Sequence, residues 1–482
     1  MKKKIAAVLS AVMALTVTAP LVACGGGNNN VLNPDGTWWS TTGELQKDAN
    51  GDIVFDDVSI RLTTIVGGVD KTPFSQLIGQ FNAEYNGKIN IKFSTIGETD
   101  FEKNVTLKLT QNANDAPDIL MSHQKSIKSF LNYHVIQPYD FAMEETGVKI
   151  DLSGFAEGVN QYSKGGTEYS FGVPVDAASM VVYYNKEILA EYTDEVPKTR
   201  SELMEVCAAY KDKEKRYPIS WETSGDFFAK YLMPTAVLQN GGHLYKDDLY
   251  GDWYDDTTQR EIYKKAIQSV RSFINNGYAA LGVHEMAGAT DFYQRKALFY
   301  VSMPWYRPNI VDAYSQQNNV TVAQADDIIG GMSVSGWFAM DNETSDTAQK
   351  IYGDSHMLAM TRKVTDITKK AAICEFVKWF TQRGDVGAAW AEAGHVTLSD
   401  TIANSDTYKN NKCVKEVVNN WYPHLDAFTT MGITPYYMDV SDNLSALLSE
   451  ALIDGDPAND EEFIRVKQKA LNSQIDLLKA ME

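Results

Sequence analysis

The side chains best suited to covalent or metal chemistry are few and scattered in this chain. Its seven histidines and four cysteines form no His-Glu-x-x-His and no Cys-x-x-Cys. Nor do they form a mixed Cys/His spacing of the kind a zinc ion needs. No Gly-x-Ser-x-Gly turn presents a serine nucleophile, and no glycine-rich phosphate loop is present. Carboxylates number 63, so a pair for glycoside hydrolysis is not excluded by count, although nothing beyond abundance marks one. Asp48-Ala49-Asn50-Gly51-Asp52 begins as a calcium loop does. It then has Ile53 where the sharp turn needs glycine and Ser59 where a bidentate carboxylate belongs, so it reads as a hairpin turn. Cys207, Cys374 and Cys413 cannot all pair with one another and read as buried, inert thiols.

Aromatic rings are the richer resource, at 11% of residues with 25 tyrosines and nine tryptophans. Hydrophobic residues at 44% are ample for a packed core. The formal net charge of −19 argues against nucleic acid, whose phosphates require clustered Lys and Arg, and against an anionic lipid surface. At the amino terminus, Lys2, Lys3 and Lys4 precede the apolar run Ile5 to Val17, which is shorter than the ~20 residues of a membrane-spanning helix. Leu21-Val22-Ala23-Cys24 resembles the lipobox of bacterial lipoproteins. That resemblance implies a leader over 1–23, removed in the mature protein, and a diacylated Cys24 as lipid anchor. Gly25-Gly26-Gly27-Asn28-Asn29-Asn30 reads as a flexible tether, within a tether and extension spanning 24–55. Two acyl chains hold a protein firmly on a membrane. No other segment is long and apolar enough to cross one.

The elements that must position any site follow a regular rhythm. Val58, Ile60 and Leu62 alternate with polar residues, a half-buried strand. The loop Gly67 to Pro73 leads into a helix that Thr72 can cap, with Phe74, Leu77, Ile78 and Phe81 inward. Ile89, Ile91 and Phe93 predict the next strand. A helix near 101–112 and a strand from Asp118 to Met121 continue the series. This alternation predicts an α/β lobe with a mainly parallel sheet. Thr199-Arg200-Ser201-Glu202 is a capping box opening a helix that buries Leu203, Val206, Cys207 and Tyr210. Further helices are expected around Ile262 to Ile274, Ala371 to Phe380 and Val440 to Leu448, and after Asp456-Pro457. A chain of 482 residues exceeds the usual ~100–200 per domain, so two or more lobes are expected.

Several short blocks, in order, resemble the extracellular solute-binding proteins that include the maltose-binding proteins. They are Leu77 to Tyr85, Ala116-Pro117-Asp118-Ile119-Leu120, Asn132 to Pro138, and Tyr169 to Glu187 with Tyr183-Tyr184-Asn185-Lys186. After these come Ala297 to Trp305 ending Met303-Pro304-Trp305, Phe376 to Phe380, Trp390 to His395, and Gly455-Asp456-Pro457. Arg295-Lys296 stands where the family usually has Gly-Lys. The resemblance runs from about residue 56 to the end. It implies a two-lobed clamp, each lobe a mainly parallel sheet flanked by helices and the second lobe helix-rich. The first lobe would take 56–175 and 352–398, the second 176–351 and 399–482. The lobes would close on solute about crossovers near Pro174–Asp176, 340–355 and Gly394–Val396. The implied function is that of a monomeric binding subunit of an ABC importer, on the outer face of the cytoplasmic membrane of a Gram-positive-type cell. It would deliver a carbohydrate, an oligosaccharide by first expectation, to permease subunits. It would need no cofactor, no metal and no catalytic residue, and would touch the membrane through its lipid anchor alone. A binder of peptide, polyamine or ferric iron, and a secreted carbohydrate-active enzyme, stand as alternatives.

A sugar presents apolar C–H faces and a rim of hydroxyls, which aromatic rings and carboxylates or amides respectively satisfy. The resemblance points to Trp305 as a stacking residue, against a core role. Arg307 would grip an acidic sugar or simply pair on the surface. Ser122, His123 and Gln124, with Lys125, lie at the carboxyl end of a predicted parallel strand, where open α/β sheets bind ligands. Asp176 follows Val173-Pro174-Val175 and either bonds hydroxyls or serves the hinge. Trp337 is a further aromatic candidate, with a core role as its alternative. Gly68, with Gly67, either brings backbone close to ligand or forms a turn. Tyr436 and Tyr437 lie where family members often reach the cleft.

Overall fold

The computed structural model describes residues 39–152, 162–164, 167–222, 231–242, 257–281, 285–412, 414–415, 428–430, 473 and 476. Cys24 and its leader, Cys413, Tyr436, Tyr437 and, apart from the helical residues Ser473 and Asp476, the helices expected beyond 430 lie outside the described residues. Among those described, no helix is long and apolar enough to cross a membrane.

The first lobe starts as its sequence predicts. Strand β1 (Val58–Thr64) is followed by helix α1 (Lys71–Glu84), strand β2 (Ile89–Thr95), helix α2 (Glu98–Thr110) and strand β3 (Ile119–His123). Alternation in β1 turns Ile60 and Leu62 into the core, where they meet Phe74, Ile78 and Phe81 of α1 and Phe376, Phe380 and Trp390. Helix α1 begins earlier than Thr72 suggests. A single 3-10 turn, Gly68–Asp70, runs straight into it, Asp70 occupies the cap position, and no side chain caps there.

Expected parallel pairing holds for β2–β1–β3. The strand His356–Thr361 then runs antiparallel to β3, to Ile136–Gln137 and to Val173–Pro174. In the second lobe the order is Ile219–Ser220, Phe299–Ser302, Val181–Asn185, Ile329–Met332, and only the first pair is parallel. The expectation of a mainly parallel sheet in each lobe is therefore corrected: parallel pairing is confined to β2–β1–β3 in the first lobe, and the second lobe's sheet is mainly antiparallel. The reason is connectivity. Val181–Asn185 enters from the other lobe and not through a helical crossover, so it runs against its neighbours. The fold remains α/β and two-lobed.

The second-lobe core gathers Trp221, Tyr263, Phe273, Trp337 and Phe338 around the buried face of helix Arg200–Glu214. The predicted capping box is present there: Thr199 accepts from the Glu202 backbone while Glu202 reaches back. Cys207 and Cys374 are free and buried. Burial pushes both thiols up, Cys374 to about 12, so neither is a nucleophile near neutral pH.

Residues 39–55 lie along the first lobe. Trp39 packs among Phe141, Tyr169 and Phe171 at ring distances of 5.5, 6.4 and 6.3 Å. Lys370, fully buried, donates to Thr41 Oγ1 at 2.5 Å and Glu145 at 3.2 Å. The predicted turn at Asp48 closes a short hairpin, with Lys47 bridging antiparallel to Ile53. Asp48 accepts from the Asn50 and Asp52 backbone.

Candidate functional site

A cavity of about 540 Å³ opens between the lobes. The loop after β1 supplies Ile65 to Gly68 and Asp70, the start of α2 supplies Glu98, and the end of β3 supplies His123. Parallel strands deliver their carboxyl ends here, the usual ligand edge of an open α/β sheet. From the second lobe come Glu222, Tyr231, Met303, Trp305 and Tyr306, and from the crossovers His356 and His395. Trp305 is half-buried and also lines a second cavity of about 400 Å³ with Gln76, Gln80, Asn309 and Glu392.

Three segments cross between the lobes side by side. Ala177 bridges Val396, and Ala178 pairs with Asp354. Val175 donates its N–H to the His356 carbonyl at 2.8 Å. Each crossover contributes one residue to a buried cluster: Asp176, His356 and His395. Asp176 Oδ1 accepts from the His356 backbone at 3.0 Å, and His356 Nδ1 lies 2.9 Å from each carboxylate oxygen. Oδ2 accepts from Trp390 Nε1 at 2.8 Å and faces His395 Nδ1 at 3.2 Å. His395 Nε2 lies 3.5 Å from Asp70. These are the metal-ligating types that converge among the described residues, with donor atoms within 4.8 Å of one another. Both carboxylate oxygens and both Nδ1 atoms already face one another within the cluster, so the arrangement is a clasp of polar contacts joining the three segments.

Beside the clasp, His123 stacks on His356 with centroids 5.1 Å apart. Its Nδ1 faces Asp354 at 3.2 Å and its Nε2 faces Glu98 at 3.6 Å. Lys125 donates to Glu98 at 2.7 Å. Burial and the nearby Lys125 charge push the His123 pKa down against its two carboxylates. For His395 burial also disfavours the cation, but Asp176 and Asp70 outweigh it and hold the pKa up to about 9. Burial likewise opposes the Asp176 anion, and His356 and His395 hold its pKa well below the carboxylate range.

The sign of the resulting pH dependence follows. His395, raised in the fold, contributes stability that is complete below its unfolded value near 6.5 and is lost as pH rises through about 9. Asp176, depressed in the fold, contributes stability present above 3.8 and lost as pH falls below it. We expect thermal unfolding temperatures to fall between about pH 7 and 10. A His395→Gln variant, less stable at neutral pH, should show a flatter decline; an equal slope in both proteins would remove His395 as the cause.

Of the residues singled out in the sequence, Trp305, His123 and Gly68 line the cleft. Asp176 is buried in the clasp and is not among the lining residues of the cleft. Ser122, Gln124 and Lys125 are buried and not among the lining residues of the cleft, where β3 is covered along one edge by its pairing with the strand His356–Thr361. Arg307 is buried, donates to Asp326 at 2.8 Å and is not among the lining residues of the cleft. Trp337 is a core residue, 6.4 Å from Phe273 and 6.0 Å from Phe299 between ring centroids. Asp70, Glu98, Glu222, Tyr231, Met303, Tyr306, His356 and His395 were not singled out as cleft residues. The scarcity of histidine was the available signal for two of them.

A family model described as "Bacterial extracellular solute-binding protein" matches residues 68–387. No curated protein matches in sequence. Among solved structures, the sugar-binding protein MalE from Xanthomonas citri superposes with a TM-score of 0.68 at 15% identity, covering 88% of this chain and 99% of that one. The GacH receptor of Streptomyces glaucescens, solved unliganded and with acarbose, gives 0.66 at 15% identity, covering 87% and 99%. Lmo0181 from Listeria monocytogenes, in complex with cycloalternan, gives 0.63 at 13%, covering 88% and 100%.

Proposed function

The chain belongs to the family of bacterial extracellular solute-binding proteins, and from that premise we propose that it captures a carbohydrate between its lobes and delivers it to an ABC-type permease. The observation that carries the ligand class is the composition of the cleft. Trp305, Tyr306 and Tyr231 offer ring faces beside the carboxylates of Asp70, Glu98 and Glu222, the pairing that suits C–H faces and hydroxyl rims. A volume of about 540 Å³ admits more than one sugar ring, which favours an oligosaccharide. The likeness to proteins solved with acarbose and cycloalternan supports the same reading. No bond is made or broken: binding and lobe closure are the whole activity, because a ligand touching both lobes stabilises the closed state over the open one.

A thermal-shift screen over mono- and oligosaccharides tests the ligand class, since a ligand at a hundred times its Kd adds about 2.7 kcal/mol of stability. Trp305→Ala should then weaken the confirmed sugar by about 1–3 kcal/mol, as loss of a packed aromatic anchor does. Unchanged calorimetric affinity, with the fold intact, would return Trp305 to a packing role.

Cys24 is the proposed anchor. After Cys24→Ser, fractionation should move the protein from the membrane fraction to the medium. Retention on the membrane would refute acylation at this residue.

A further inference from the structure

His395 lies between two indoles. Its ring is 3.9 Å from Trp390 with 7° between planes, and 5.9 Å from Trp305 with 12° between planes. Trp390 belongs to the first-lobe helix Gly384–Glu392, and Trp305 to the second-lobe turn Pro304–Tyr306. His395 sits on the crossover between them, so a near-parallel column of three rings runs from lobe to lobe through the hinge. Asp176 fixes two members at once, accepting from Trp390 Nε1 and facing His395 Nδ1. The third ring is seated by contact: Gly394 packs directly against the Pro304 carbonyl and the Trp305 backbone.

We propose that His395 is a positioning residue that ties the Trp305 ligand platform to the hinge, so that lobe angle and platform move as one. The proposal rests on the reading of Trp305 as the ligand's stacking partner. Physically, an imidazolium between two indole faces is attracted to both through their quadrupoles, and offset parallel rings at these separations are the favoured aromatic geometry. Rotation of the second lobe slides Trp305 across His395, while Trp390 and Asp176 keep His395 in place. A ligand resting on Trp305 therefore biases that sliding and, through it, the lobe angle. The charged or titratable groups facing His395 are Asp176 and His356 from the other crossovers and Asp70 from the loop after β1. The pair His123 and Asp354 stands behind His356.

Fluorine NMR of the full chain carrying 5-fluorotryptophan tests this, with Trp305→Phe and Trp390→Phe assigning the two signals. In the ligand-free protein both signals should move together as pH is raised from neutral, with one midpoint near 9. His395→Gln should abolish the shared titration in a protein whose circular dichroism is unchanged. Asp176→Asn, which keeps the shape of the clasp, should lower the midpoint by about 1–3 units. A role in folding alone would move neither midpoint. A flat Trp305 signal beside a titrating Trp390, or a shared titration that survives His395→Gln, overturns the proposal. Maltotriose is the probe for the second arm. At saturation it should shift both signals in the parent and only Trp305 in His395→Gln; equal shifts of both signals in parent and variant also overturn the coupling. If maltotriose shifts neither signal, the carbohydrate reading loses its support for that sugar, and the pH arm decides the coupling by itself.

Discussion

Asp176→Ala is expected to destabilise the protein by about 3–5 kcal/mol, the range for removing one partner of a buried ion pair. The carboxylate is fully buried and holds groups from the two other crossovers and one helix: the His356 backbone and ring, the His395 ring and the Trp390 indole. Alanine leaves an imidazolium and several N–H donors without this acceptor in a largely buried place, each costing about 1–3 kcal/mol before relaxation. Asp176→Asn keeps one acceptor oxygen and should fall between. The comparison is with an exposed pair. Lys108 and Asp115 lie 2.6 Å apart with side chains 40% and 70% exposed, so solvent screens the pair and Asp115→Ala should leave stability nearly unchanged. Urea unfolding followed by tryptophan fluorescence measures all three. A loss for Asp176→Ala no larger than that for Asp115→Ala would mean the clasp does not hold the crossovers.

Gly394→Ala should cost nearly as much and should also weaken ligand binding. Gly394 has φ +90°, and a Cβ there would sit on the Pro304 carbonyl oxygen and the Trp305 Cα, closer than real Cβ atoms approach. Two costs add: a left-handed conformation, roughly 1–2 kcal/mol for alanine, and overpacking against backbone, typically about 1–3 kcal/mol. Gly51→Ala separates them. It has φ +87° with nothing within 4 Å of the added Cβ, so it carries the conformational cost alone. The atoms displaced by the new methyl in Gly394→Ala belong to the Trp305 turn. Calorimetry with the sugar confirmed by screening should therefore show reduced affinity in Gly394→Ala and parent affinity in Gly51→Ala. Equal stability losses in the two variants would refute the close approach.

Local chemistry was legible in the sequence where one segment decides it. The alternation of Val58, Ile60 and Leu62, the capping box at Thr199 and the turn at Asp48 each depend on neighbours a few residues away. The cleft was legible only in part. His123 and Gly68 follow from the rule that strands end at the ligand edge, and Trp305 from its family block. Partners distant in the chain were not readable. Strand pairing sets His356 directly opposite His123, and nothing near either residue announces it. Arg307 looked available until a turn of the chain brought Asp326 against it. Trp337 follows a glycine just as a loop tryptophan would, yet the fold turns it onto Phe273. Strand direction in the second lobe was misread because alternation reports which face is buried and not which way a strand runs.

The arm over residues 39–55 bears on how force reaches the molecule. Trp39 is sunk among Phe141, Tyr169 and Phe171, and Thr41 is gripped by Lys370 and Glu145. All of these groups belong to the first lobe. If Cys24 is the anchor, as proposed, the first described contacts of the tethered chain are made with one half of the clamp only. With that anchor the first lobe would serve as the stator and the second as the rotor.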